Sequence, residues 1–235
     1  MDLASKTLFV ANRGEIAVRI NRAAKKLGMN VVQAHSEADA DMLAVRLADR
    51  AIEIGPPQAS KSYLDAARVV KAAVASGADA VHPGYGFLSE NADFAKLCEE
   101  SGINFIGPSP HSLELLGDKV RARELAIKVG VPVVPGTDGA VESVEDGLAF
   151  CQRIGYPVMV KASAGGGGRG LRVVRSDEEL KHAMEAGSRE AQAAFGNGEV
   201  YLERYLTGGR HIEIQVLADQ HGNVVHLGER DCSLQ

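Results

Sequence analysis

Leu8-Phe9-Val10-Ala11-Asn12-Arg13-Gly14-Glu15-Ile16-Ala17-Val18-Arg19-Ile20-Asn21-Arg22-Ala23-Ala24-Lys25-Lys26-Leu27-Gly28 reads as one complete β-α unit. Residues 8–11 are a short apolar strand, and Asn12, Arg13 and Gly14 interrupt it. Ile16, Val18, Ile20 and the Ala23/Ala24 pair then recur at helical spacing, and Gly28 stands where a C-terminal cap belongs. The alternation continues downstream. Residues 31–34 are predicted as a strand, 39–48 as a helix and 51–54 as a strand. Ser62 is read as the N-cap of a helix over 63–76 that Gly77 closes. A strand over 78–81, a helix over 92–100 and a strand over 103–106 follow. Repeated β-α-β units imply an α/β fold: a doubly wound parallel sheet with helices on both faces. Ligands of such sheets bind beyond the carboxyl ends of the strands. The loops of interest are therefore residues 12–14, 35–39 and above all 82–91.

Near Pro108 and Pro110 the rhythm changes, and a boundary is expected between about residues 108 and 135. A charged helix is predicted over 118–129, closed by Gly130 and Pro132. In the second part Ser143 caps a helix reaching Ile154. A strand over 157–162, a glycine run over 165–170 and a strand over 171–174 come next. Ser176 with Glu179 forms a capping box for a helix to about Phe195. A strand over 199–203 precedes a hairpin of 210–217 with 223–227, and Gln235 reads as still within a strand.

Composition narrows the class. The 235 residues carry 26 Lys+Arg against 31 Asp+Glu, a net charge of −5, and 45% are hydrophobic. That is the balance of a globular protein, not of a disordered or low-complexity one. Mild acidity gives no electrostatic footprint for nucleic acid. No apolar run approaches the roughly 18–20 residues of a membrane span. Cys98, Cys151 and Cys232 are odd in number and widely spaced, with no C-x-x-C pair, which suits reduced thiols and a cytoplasmic location.

The strongest local signal is Lys161-Ala-Ser-Ala-Gly165-Gly166-Gly167-Gly168-Arg169-Gly170. Gly165, Gly167 and Gly170 match G-x-G-x-x-G, but a dinucleotide fingerprint requires a helix after the turn, and here the chain returns to β. The run is therefore expected at a hairpin tip, where backbone N–H groups unobstructed by Cβ can fold over phosphates while Lys161 and Arg169 supply charge. The alternative is a flexible turn, for which four consecutive glycines lose more entropy than needed. Lys119 opens a helix, and its local context does not distinguish it from a surface lysine. Glu203, Arg204, Tyr205 and Leu206 end a strand before Gly208-Gly209; their main chain suits a purine edge or an ordinary hinge equally. His211, Glu213 and Gln215 share one face of their strand, and Glu229, Asp231, Ser233 and Gln235 share one face of theirs. Two carboxylates on one strand do not make a metal site. In His82-Pro83-Gly84-Tyr85-Gly86-Phe87-Leu88-Ser89-Glu90-Asn91 two glycines and a proline bracket an aromatic ring, as in functional loops on rigid scaffolds.

Ala11-Asn12-Arg13-Gly14-Glu15-Ile16-Ala17, residues 82–91, Phe105-Ile106-Gly107-Pro108, Gly117-Asp118-Lys119, residues 161–170 and Glu229-Arg230-Asp231-Cys232-Ser233 occur together and in this order. With them the chain resembles the biotin carboxylase component of acetyl-CoA, propionyl-CoA and pyruvate carboxylases. The resemblance covers essentially the whole chain. Residues 82–91 are specific to that family, whereas the glycine run would fit any ATP-grasp ligase. It implies a Rossmann-like pre-ATP-grasp domain over 1–116 and a helical linker over 117–134. An α+β ATP-grasp lid over 135–205 and the first strands of a central ATP-grasp domain over 206–235 would follow.

The family uses ATP to turn bicarbonate into carboxyphosphate and passes CO2 to N1′ of biotin on a carrier domain. By matching motif, Lys119 and Lys161 would contact ATP phosphates or the adenine side. Gly165, Gly166, Gly167 and Gly168 would cover the phosphates. Glu203, Arg204, Tyr205 and Leu206 would hold adenine, His211 and Gln235 would line the nucleotide pocket, and Tyr85 and Gly86 would lie on the biotin side. The family's catalytic lysine, its Mg2+ or Mn2+ ligands, general base and bicarbonate arginines are expected beyond Gln235, so the 235 residues alone are expected not to carboxylate biotin. Implied partners are a biotin carboxyl carrier, a carboxyltransferase subunit and a second copy through the N-terminal domain, with no nucleic acid and no membrane. Two other readings remain: another ATP-grasp or carbamoyl-phosphate-type ligase, against which residues 82–91 argue, and a non-catalytic nucleotide-binding or dimerising module.

Overall fold

The computed structural model describes residues 3–117, 119–162, 171–195 and 197–234. They form two compact units, Met1–Gly130 and Val131–Gln235.

In the first unit, after a single 3-10 turn, β1 (Thr7–Val10) leads into α1 (Gly14–Lys26) and β2 (Asn30–His35). A 3-10 turn (Glu37–Asp39), α2 (Leu43–Leu47) and β3 (Arg50–Glu53) follow. A further 3-10 turn (Ala59–Lys61), α3 (Ala66–Ala75), β4 (Ala80–His82), α4 (Ala92–Glu100), β5 (Asn104–Phe105), α5 (Pro110–Gly117) and α6 (Lys119–Lys128) complete the unit. All five strands are parallel, in the order β3-β2-β1-β4-β5. Strand alternation places Leu8, Val10, Val31 and Ala80 on one face with Ala17, Ile20 and Ala24 of α1. Phe9, Val32 and Val81 face the other way, onto Val69, Val70 and Ala73 of α3 and Phe94, Ala95 and Cys98 of α4. The two apolar faces need two helical layers, which is the doubly wound arrangement expected from the sequence.

α1 ends as its glycine requires. Gly28 takes φ +81°, its N–H donates to Lys25 O at 3.0 Å, and the Met29 N–H donates to Ala24 O at 3.0 Å. Those two bonds satisfy carbonyls the last helical turn leaves open.

Two local expectations are corrected, and one helix is added. Residues 39–48 are not one helix: Asp39 turns inward, and only Leu43–Leu47 is α-helical. Ser62 is no helix cap; its Oγ donates to Gln58 O, and Asp65 caps α3 by accepting from Arg68 N at 3.0 Å. Pro110 begins α5, a helix the sequence pattern did not reveal, with Ser109 Oγ accepting from Ser112 N at 3.2 Å. Proline suits the first helical position because the N–H it lacks would have no partner there.

In the second unit, α7 (Val144–Ile154) precedes β6 (Val158–Ala162), β7 (Arg172–Val174), α8 (Asp177–Phe195) and β8 (Val200–Arg204). The sheet is antiparallel in the order β7-β6-β8. Ser143 caps α7 as expected, accepting from Asp146 N at 3.1 Å. Ser176 Oγ accepts from Glu179 N, and the Glu179 carboxylate returns one residue early, to Arg175 N at 2.7 Å. Val158, Val160, Val174, Val200 and Leu202 pack one sheet face against Phe150 and Cys151 of α7 and Leu180 and Met184 of α8. β9 (Ile212–Ala218) and β10 (Val224–Asp231) form a separate antiparallel pair, with a register shift between His226 and Glu229. β10 ends at Asp231, so residues 232–234 lie past the strand expected to continue there.

Candidate functional site

The first unit's strand order reverses between β1 and β4. Their connections leave in opposite directions, opening the crevice in which such sheets take ligands. Asn12 follows β1, and residues 83–91 follow β4. Asn12 is only 3% exposed, and its Nδ2 donates to Pro83 O at 2.6 Å and to Tyr85 O at 2.8 Å. Gly84, at φ +66°, leaves room for it: a Cβ there would stand 2.8 Å from Asn12 Nδ2. The Gly84 N–H donates to His82 Nδ1 at 3.0 Å, and burial lowers the His82 pKa, both favouring a neutral imidazole. Tyr85, at the loop tip, is exposed, and its hydroxyl donates to the Glu15 carboxylate. Gly86 adjoins it at φ +68°, and Phe87 takes φ +44° with its ring stacked 5.0 Å from Tyr63.

A second network holds the base of the crevice. Asp39 accepts from Arg13 Nε at 2.9 Å and Nη2 at 2.8 Å, from Ser36 Oγ at 2.8 Å and from Tyr63 OH at 2.8 Å. Arg13 foremost, then Tyr63 and Ser36, hold the Asp39 carboxyl down at about 2 against its burial. Burial, with Asp39 as neighbour, pushes the Tyr63 phenol up to about 12. Residues 13, 36 and 39 lie in the two strand-end loops of interest, but their grouping with Tyr63 is not written in local pattern, because the four become neighbours only when β1, β2 and the turn before α3 assemble.

In the second unit, β6 and β7 are antiparallel neighbours, so the glycine run joins two strands as the sequence predicted. Gly165, Gly166, Gly167 and Gly168 themselves lie outside the described residues. The register pairs Lys161 with Tyr201 and Met159 with Glu203, placing all four on the sheet face opposite the helices. Lys161 Nζ donates to the Glu203 carboxylate and stands 5.9 Å from the Tyr201 ring centroid. The Lys161 side chain is 27% exposed and that of Glu203 16%, so the pair is part-buried yet reachable from solvent. Arg204 and Tyr205 commit their N–H groups to Pro135 O at 2.8 Å and Pro157 O at 3.0 Å, and Leu206 turns out into solvent. Backbone recognition in this run therefore cannot use the Arg204 or Tyr205 N–H.

His211 precedes β9; its N–H donates to Ser233 Oγ at 3.0 Å, and its ring lies 3.4 Å from Glu213. Lys119 opens α6 in the first unit, but its side chain and Gln235 lie outside the described residues. Among the described residues no three His, Cys, Asp or Glu side chains gather to hold a metal ion.

Residues 4–113 match the biotin carboxylase N-terminal domain, and residues 118–235 match the ATP-binding domain of the carbamoyl-phosphate synthase L chain. Biotin carboxylase 1 of Bacillus subtilis is 54% identical over 230 residues, covering 98% of this chain and 51% of its own. This chain belongs to the biotin carboxylase family. The biotin carboxylase domain of the Hydrogenobacter thermophilus 2-oxoglutarate carboxylase, solved as a dimer with MgADP, ADP and bicarbonate, superposes with TM-score 0.85 at 52% identity. That match covers 98% of this chain and 51% of the other. The Campylobacter jejuni biotin carboxylase in complex with β,γ-ATP gives TM-score 0.87 at 47% identity, over 97% of this chain and 51% of the other. The chain thus spans about half the length of these relatives. The architecture is a Rossmann-like N-terminal domain followed by ATP-grasp elements.

Proposed function

We propose that the chain supplies the nucleotide-lid and biotin-side portions of an ATP-dependent biotin carboxylase acting in the cytoplasm. Its acceptor is biotin on a carrier protein, its downstream partner a carboxyltransferase, and a second copy associates through the first unit. The observation that carries the reading is the helix-free face of the β6–β8 sheet. There a lysine and a glutamate stand side by side on strands leading to and from glycine-rich connections. Bound ATP supplies the phosphoryl group that activates bicarbonate. Lys161 meets the phosphate charge, and Glu203 holds the ammonium at the strand end so that little reorganisation is needed. Gly165, Gly166, Gly167 and Gly168 close over the phosphates and exclude water, which protects a hydrolysable intermediate. Glu203, Arg204, Tyr205 and Leu206 border the adenine, and His211, Gln235 and Lys119 complete the nucleotide's surroundings. Tyr85 and Gly86 face biotin. The described residues do not fit a bound Mg2+ or Mn2+, since no donor cluster is present among them.

Calorimetric titration of the chain with ATP, beside bicarbonate-dependent ADP release with free biotin, tests the reading. Binding that weakens tenfold or more in Lys161→Met, as loss of a charge-assisted contact predicts, supports it. Absence of ATP binding overturns the nucleotide assignment. Turnover by these 235 residues overturns the expectation that the catalytic groups lie elsewhere.

A further inference from the structure

Residues 83–87 present Tyr85 at the crevice in a conformation that does not hold itself. Phe87 is non-glycine at φ +44°, and Gly84 and Gly86 also have positive φ. Backbone of this kind persists only where its surroundings over-determine it. On one side the surroundings are the Phe87–Tyr63 stack. On the other, beside the Gly84 N–H bond to His82 Nδ1 and the Ser89 N–H bond to Gly86 O, one side chain bonds two of the loop's carbonyls. Asn12 uses both amide hydrogens on the loop, to Pro83 O and Tyr85 O, and its Oδ1 accepts from its neighbour Arg13 N at 2.8 Å. Asn12 is itself fixed from below, because the buried Gln33 donates from Nε2 to Asn12 O at 2.7 Å. Gln33 in turn accepts from Asn21 of α1, whose Nδ2 also donates to Ala44 O at 2.7 Å. A continuous amide chain thus runs from the inner face of α1, across β2, to the carbonyl of Tyr85. The same helix carries Glu15, which accepts from the Tyr85 hydroxyl.

We infer that Asn12 is the positioning residue for Tyr85: it locks the loop so that the ring meets biotin already oriented, without itself touching the ligand. The inference rests on the reading of this crevice as the biotin side. An aspartate here keeps the shape, removes both donors and sets a carboxylate against two carbonyl oxygens. An ordinary structural asparagine would affect only stability, whereas a positioning residue also changes how strongly Tyr85 responds to biotin in protein that remains folded.

The test is NMR on the full chain, comparing the parent with Asn12→Asp and with the uncharged Asn12→Ser, which serves if the charged variant does not fold. Amide exchange is followed at Gly84, Tyr85, Gly86 and Phe87, with Val31 and Val32 of the central sheet as controls for folding. Free biotin is then titrated against the Tyr85 resonances. Losing two hydrogen bonds should speed exchange in the loop by tenfold or more while the controls hold. The biotin needed to shift Tyr85 should rise by at least the same factor. Unchanged biotin response in a folded variant overturns the positioning role, whatever the exchange shows. If the parent's Tyr85 does not respond to biotin at all, the biotin-side reading falls, and the exchange data alone decide the lock. Faster loop exchange then upholds it, and unchanged exchange overturns it.

Discussion

Asp39→Asn is the sharpest test of how the first unit is held together. The carboxylate is 4% exposed and accepts four hydrogen bonds, two from the Arg13 guanidinium and one each from Ser36 and Tyr63. Its pKa is held near 2 against an ordinary 3.8. At about 1.4 kcal/mol per unit that shift is worth at most about 2.5 kcal/mol. Arg13 is 44% exposed, so water screens part of it and about 1–2 kcal/mol remains. Asparagine loses more than the charge: its Nδ2 hydrogens oppose donors it cannot accept, so the substitution should cost about 2–4 kcal/mol. With a urea slope of about 2 kcal/mol/M the midpoint should fall by about 1–2 M.

Acid gives an independent check of sign. A depressed carboxylate contributes fully above its unfolded pKa near 4 and loses that contribution as pH falls toward 2. Only about half of it should remain at pH 3. The gap between parent and Asp39→Asn, read by far-UV circular dichroism in urea, should be the same at pH 7 and pH 5 and should narrow at pH 3. Tyr63 has the opposite sense: its raised pKa stabilises below pH 10 and that contribution is lost as pH rises through 12. A gap under about 0.5 kcal/mol at pH 7, the range of an indifferent surface change, would refute the reasoning. So would a gap that ignores acid.

Two further outcomes follow from burial. Leu202→Ala empties a fully buried site among Val158, Leu180 and Met184, and should cost about 3–5 kcal/mol of second-unit stability by urea unfolding; a loss under 1 kcal/mol would mean the site collapses freely. With a thiol reagent at pH 8, Cys232 should be modified first, because burial shields Cys98 and Cys151 and pushes the Cys98 thiol up to about 11; labelling of either at the Cys232 rate in folded protein would contradict this.

The sequence disclosed what depends on local spacing. β1 through β5, the glycine closing α1, the Ser143 cap and the return to β after the glycine run all follow from period, cap chemistry and strand length. It misled where a side chain serves a distant partner. Asp39 has the composition of a helix start, but its carboxylate is committed to Arg13 and Tyr63, so the chain there turns inward. Ser62 has the composition of a cap, but its hydroxyl is committed to Gln58. α5 was hidden because a proline preceded by a serine reads as a break until the serine is seen capping the helix the proline begins. Tyr85 was legible because glycine and proline bracket it. Asn12 was visible only as part of a loop, since its role depends on β1 and β4 being neighbours, and adjacency of strands 70 residues apart is not written in local pattern.

The two units offer ligands different chemistry, and the contrast supports the division of labour proposed for them. At the crevice of the first unit the Arg13 guanidinium is matched by Asp39, burial favours the neutral form of His82, and the loop carries an exposed phenol and is tied by amide hydrogen bonds. A site of this kind offers shape and neutral hydrogen bonding, which suits an uncharged ring such as the ureido group of biotin and not a phosphate. On the helix-free face of the second unit the lysine is part-exposed, paired with Glu203 and on a strand that leads toward four glycines. It offers charge and unobstructed backbone, which suits a polyphosphate. On the proposed reading, the formal G-x-G-x-x-G match points to a phosphate-bearing ligand through an architecture other than the strand–helix turn it normally marks. Phosphate binding in general does not need a helix N-terminus, only backbone donors free of Cβ and a cation held close by, which a connection between antiparallel strands can provide as well as a strand–helix turn.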